Sequence, residues 1–147
     1  MDTLEDSCLA LLDFESKNFG KNDGEKYLRL YGFFQAIILQ QDSITNLYKI
    51  FLKKKLNTKN SAWKKLRDLR NLTIGHPINY GEFWNDKKVK RCFISRITIN
   101  NTGFQLIIWN KEKGKDDYES IDLNLIYGQY KSEVTKHLQE MYKVQKK

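Results

Sequence analysis

One stretch of the chain, Gly24 to Lys55, most constrains what it can fold into. Tyr27, Leu30, Tyr31, Phe34, Ile37, Ile38, Ile44, Tyr48, Phe51 and Leu52 recur at helical spacing, which predicts one long helix with a continuous apolar stripe. Phe33, Leu39, Leu47 and Ile50 widen that stripe to most of the circumference near the middle. A helix that is apolar on several sides must be covered on several sides, so it belongs at the centre of a bundle. Gln35, Gln40, Gln41 and Asp42 interrupt it, with Gln41 in phase with the stripe. These amides either close a bundle end and face water, or serve a buried cation as its polar partner.

Shorter amphipathic segments supply the rest of the bundle. A first helix is expected over about residues 3–18, where Thr3 and Asp6 have capping-box spacing and Leu4, Cys8, Leu11, Leu12 and Phe19 recur in phase. Asn22 and Glu25 form a second capping box at the head of the long helix. A third helix is expected from Ser61 to Ile74, with Gly75 as a left-handed stop and Pro77 preventing continuation. The last covers about 125–144, with Ile126, Tyr130, Val134, His137, Leu138 and Met141 in phase, so His137 reads as a packing residue. Between the third and last helices the period changes to two. Cys92 to Ile99 and Phe104 to Trp109 read as strands around the turn Asn100-Asn101-Thr102-Gly103. A second turn over Lys111 to Asp117 leads to a short third strand at Tyr118 to Leu123. The fold class is therefore mainly α, in the α+β sense. A helical bundle carries a β-hairpin or three-stranded meander over about 92–123, inserted before the C-terminal helix, in one domain spanning 1–147.

Charge is unevenly distributed. Of 26 Lys and Arg, 13 lie in residues 51–100 against three acids, so the whole excess of +8 sits there. Clustered Lys and Arg favour a phosphate-rich ligand, whereas a lysine-rich surface kept soluble by like charge is the plainer reading. Lys64, Lys65 and Arg67 are the candidate phosphate contacts. The three tryptophans and eight tyrosines invite base stacking, but most sit at core-phase positions. Tyr80 and Trp84 are left as exposed platforms. Cys8 and Cys92 are lone and widely spaced, which predicts buried thiols, and no close Cys/His pairs offer a metal site or any other cofactor site. No apolar run reaches the roughly 20 residues a membrane span needs, and the acidic start is unlike a signal peptide. A cytoplasmic protein is expected, and the Lys- and Asn-rich composition points to an AT-rich bacterial or mobile-element origin.

The segment Leu66 to Pro77 carries the most chemistry. With Leu66 at zero on a helical wheel, Ala62, Trp63, Leu69, Leu72 and Thr73 share an apolar arc about 180° wide, and Arg70 lands inside it at about 40°. Continued helical phase would bring His76, one of only two histidines, to the other flank at about 280°. An arginine on an apolar face needs a partner, and Gln41 or Asp42 is the candidate. Two plain roles compete with a functional one. Arg70 would hold an internal carboxylate, and His76 would cap the helix C-terminus.

Arg70-Asn71, followed by Leu72-Thr73-Ile74-Gly75 and His76, resembles the signature of the HEPN superfamily of helical-bundle domains. In that signature an Arg, often followed by a small polar residue, precedes a His across a gap of four to six residues. The gap here is five. The resemblance implies a metal-independent endoribonuclease of toxin–antitoxin or defence type, with Arg70, Asn71 and His76 catalytic. It also implies a homodimer through the helix 3 face that brings two Arg/His pairs into one cleft. RNA is the implied substrate, and a neutralising protein an implied partner. Some HEPN toxins carry a Tyr two residues after the His, where this chain has Ile78, with Tyr80 the nearest tyrosine. Other HEPN domains are non-catalytic modules. On that alternative, the basic face or an edge strand of the insertion docks a partner while Arg70 and His76 are structural.

Overall fold

The computed structural model describes residues 2–75, 90–110 and 113–146. Four α-helices lie among them: α1 (Asp2–Ser16), α2 (Asp23–Leu52), α3 (Ala62–Arg70) and α4 (Leu123–Gln145). Strands β1 (Lys90–Ile94), β2 (Gly103–Asn110) and β3 (Lys115–Asp122) form an antiparallel sheet in the order β1-β2-β3, inserted before α4. This is the mainly helical α+β arrangement with a three-stranded meander that the change of period announces.

The long helix is central, as its breadth of apolar positions requires. α2 packs against α1, α3 and α4 and buries Leu30, Phe33, Phe34, Ala36, Ile37, Gln40, Gln41 and Ile44. The buried arc is turned relative to the expected stripe: Tyr31 and Phe51 face outward, while Phe33 and both glutamines face in. The Asn22 cap forms as expected, its Oδ1 accepting from Glu25 N at 3.0 Å, while Glu25 Oε2 accepts from Lys21 N at 2.6 Å. α2 ends three residues early because Lys53 turns left-handed (φ 54°) and its N–H closes on Lys49 O.

Two polar contacts lock α3 in place. Its first free N–H groups, on Ala62 and Trp63, donate to the two carboxylate oxygens of Glu133 on α4 at 2.9 and 3.0 Å, and Ser61 Oγ accepts from Lys64 N. A carboxylate suits this position, since it satisfies donors that a helix leaves open and meets the positive end of the dipole. On the α2 side, the fully buried Gln41 donates from Nε2 to Trp63 O at 2.9 Å. Gln41 is thus neither at a bundle end nor in water. His137 does pack: its ring lies edge-on to Trp63 and Tyr48, and burial holds its pKa below the usual imidazole range.

The sheet departs from expectation at both ends. The strand expected over 92–99 stops at Ile94, and Arg96–Thr98 form a 3₁₀ turn. Thr98 explains the break: its Oγ1 donates to Ser95 O and accepts from Gln105 N, drawing the chain into a turn. The expected Asn100 turn is present, with Oδ1 accepting from Thr102 N and Gly103 N. β3 begins at Lys115 and α4 at Leu123, so residues expected in the second turn lie in the ladder, and Asp122 caps α4 by accepting from Leu125 N. Cys8 and Cys92 are free thiols, and burial with Glu119 nearby pushes Cys92 up to about 11. No helix among the described residues is long and apolar enough to cross a membrane.

Glu133→Ala should lower stability by about 1–2 kcal/mol in urea unfolding, because two buried N–H donors lose their acceptor. An unchanged midpoint would remove the clamp from this account. Gly103→Ala should abolish folding, since a Cβ there would stand 1.9 Å from Ile121 O, a backbone atom that cannot yield. Soluble Gly103→Ala protein with wild-type circular dichroism would show that β2–β3 register to be wrong.

Candidate functional site

α3 keeps ordinary helical geometry only as far as Arg70. Asn71–Gly75 then form one π turn, in place of the α-helix expected up to Ile74. Single π turns widen the backbone and recur at functional sites. Gly75 is not left-handed as expected, since the positive-φ glycines among the described residues are Gly20 and Gly114. Its role is space: a Cβ on Gly75 would lie 2.9 Å from Arg70 Nη1 and 3.5 Å from Asn71 Oδ1. Arg70 therefore folds back over the turn, and Gly75 leaves room for the guanidinium.

The partners of Arg70 are few. Nη1 donates to Asn71 Oδ1 at 3.2 Å, Nε is buried with no acceptor, and no carboxylate pairs with Arg70 among the described residues. Among the described residues, then, no internal ion pair holds it. The partners proposed for it go instead to Arg67, whose Nε donates to Gln41 Oε1 at 2.9 Å and whose Nη2 pairs with Asp42. One turn of helix separates the two arginines. Arg67 meets α2 and is satisfied, whereas Arg70 has reached the π turn and is not. An unmet charged donor that is partly buried is costly by about 1–3 kcal/mol unless a ligand supplies the acceptor.

The other expected residues are dispersed. Lys64 pairs with Asp68 at 2.5 Å. Lys65 is exposed but borders a groove with Asp68, Glu119 and Asp122, whose carboxylates repel phosphate. With Arg67 bound to α2, the expected basic surface of α3 is not assembled from these three. The apolar arc of α3 (Ala62, Trp63, Leu66 and Leu69) is buried inside the protomer against α2 and α4, rather than left for a symmetry mate. His76, Pro77, Ile78, Tyr80 and Trp84 lie outside the described residues.

The aromatic side chains that stand open on the sheet were missed. Trp109 and Tyr118 are on the exposed face of the sheet with Phe93, and the π turn lies against β1. Strand alternation in Cys92-Phe93-Ile94 was the available signal for Phe93. Trp109 needed the register, because the run Leu106 to Trp109 is apolar on both faces. Compared with known proteins, the chain matches no family model, no curated protein and no solved structure.

The contrast between the two arginines is measurable. Arg67→Met should lose about 1–2 kcal/mol by stranding Gln41 Oε1, whereas Arg70→Met should leave stability unchanged or raise it. Equal losses in chemical denaturation would place Arg70 among the structural residues.

Proposed function

We propose that this chain is a HEPN-like, metal-independent endoribonuclease in which Arg70, Asn71 and His76 act on the scissile phosphate. The observation that carries the reading is the state of Arg70: a guanidinium at the end of α3, held over the π turn by one neutral amide, its Nε lacking any acceptor among the described residues. A planar cation with unused donors suits the non-bridging oxygens of a phosphate, where it opposes the charge that builds in the transition state.

In this reaction the RNA 2′-oxygen attacks the adjacent phosphorus and the 5′-oxygen leaves. The products are a 2′,3′-cyclic phosphate and a 5′-hydroxyl. His76 takes the 2′-proton or delivers one to the leaving oxygen, as a side chain titrating near neutrality can do. Asn71, already bonded to Arg70, fixes the guanidinium plane. One imidazole cannot serve as base and acid in the same step, so the second is supplied by a two-fold mate. Because the apolar arc of α3 is buried in the protomer, that mate docks on the outward side of α3 and the π turn. A neutralising partner protein, if one accompanies the chain, would cover the same turn.

Labelled single-stranded RNA incubated in EDTA should be cut by wild type, leaving 2′,3′-cyclic ends. Arg70→Ala and His76→Ala should each lose roughly 10²–10⁴ in rate. If all three cut equally, or none cuts, Arg70 and His76 are structural and the domain is a binding module.

A further inference from the structure

We propose that the open face of the β-sheet is a stacking platform for single-stranded RNA, with Phe93, Trp109 and Tyr118 as the rings and Arg91 as a phosphate contact. Pairing places these residues on one face. Phe93 lies opposite Ile107 and Ile107 opposite Tyr118, while Arg91, Trp109 and Asp116 form the next row. The alternate positions Cys92, Ile94, Leu106 and Ile121 are buried and fasten the other face to the core. Phe93 is 48% exposed, Tyr118 63% and Trp109 36%, values far from those of core aromatics.

Three observations favour a nucleic-acid strand over a protein. First, the rings make no ring–ring contact among the described residues, so they stand as separate platforms. Phe93 and Tyr118 are two strand spacings apart, roughly 9.6 Å, and Trp109 is diagonal to both. Unstacked bases lie on such rings whatever their identity, whereas bases inside a duplex offer no free face. Second, a cation is available on this face: Arg91 makes no ion pair or hydrogen bond among the described residues, not even with Asp116 at the other end of its row. Third, at the Phe93 end the sheet opens into a shallow groove of about 480 Å³ beside Tyr27, Arg96 and Ile97, room for a further base, with the Arg96 guanidinium steadied by Asp23 at 3.7 Å. The site rests on the reading that RNA is this protein's ligand. β1 also packs against the π turn that follows Arg70.

The test uses the full chain carrying Arg70→Ala, in EDTA, so that the probe stays intact. A fluorescein-labelled oligouridylate about 12 nucleotides long, within the site sizes of such platforms, is titrated by anisotropy beside an RNA duplex of equal length. Phe93→Ala and Tyr118→Ala should each weaken single-strand binding by roughly tenfold, Tyr118→Phe should bind like its parent, and the duplex should bind more weakly. Arg91→Ala should lower the salt slope by about one. Unchanged binding in both alanine variants, or equal affinity for duplex, overturns the proposal. So does a dimer-to-monomer shift of Phe93→Ala/Tyr118→Ala in sedimentation with RNA affinity intact, which would make the face a contact between copies. The two readings fail separately. Wild-type cleavage with binding unaffected by the ring variants rejects only the platform, and ring-dependent binding without cleavage rejects only the nuclease.

Discussion

The clamp on the N-terminus of α3 is the contact on which the rest depends. Glu133 takes the N–H groups of Ala62 and Trp63, and Gln41 takes the carbonyl of Trp63, so α4 and α2 grip the same turn from two sides. Apolar packing alone would let a nine-residue helix slide or rotate, because the hydrophobic effect is non-directional. Directional bonds made inside the bundle fix its rotation. That rotation then dictates which arginine faces α2. Arg67 reaches Gln41 and Asp42, and Arg70, three residues on, is carried past α2 to the π turn.

Local geometry at the turn follows from this placement. Thr73 is buried and its hydroxyl donates to Leu69 O, while Leu72 and Ile74 pack on the core, so the chain stays coiled beyond Arg70. The wider π turn leaves Arg70 and Asn71 side by side, and Gly75 leaves space over the guanidinium. A structure selected for stability alone would give such a cation an acceptor or replace it with an apolar residue. Its lack of an acceptor among the described residues is what the proposed phosphate contact would supply, with stability and function then pulling in opposite directions at one residue.

The sheet and the turn are linked by β1, which packs against the π turn and bears Arg91 and Phe93 on its open side. The meander is therefore more than a connection between α3 and α4. Its buried face closes the core through Cys92, Ile94, Leu106 and Phe104, and its outer face presents aromatic rings beside Arg91. On the proposed reading, an RNA single-stranded enough to be cut by its own 2′-hydroxyl is also one whose bases are free to stack.

Much of the fold was legible because it rests on periodicity. The long helix, the Asn22 cap, the Asn100 turn and the change from helical to strand period are local patterns, and each lies close to where the residues put it. What sequence could not supply was rotation and register. Whether Gln41 serves Arg67 or Arg70 depends on the roll of α3 against α2, since residues three apart stand only about 60° from each other on the wheel. Likewise, Trp109 sits in a run that is apolar on both faces, so only pairing with Arg91 and Asp116 assigns it to the open side. The sequence by itself determined which segments coil, which extend and where cations concentrate, because these are set by neighbours along the chain. Tertiary structure alone decided which polar groups find partners and which, like Arg70 Nε, find none among the described residues, because a hydrogen bond is decided by angstroms between residues far apart in sequence.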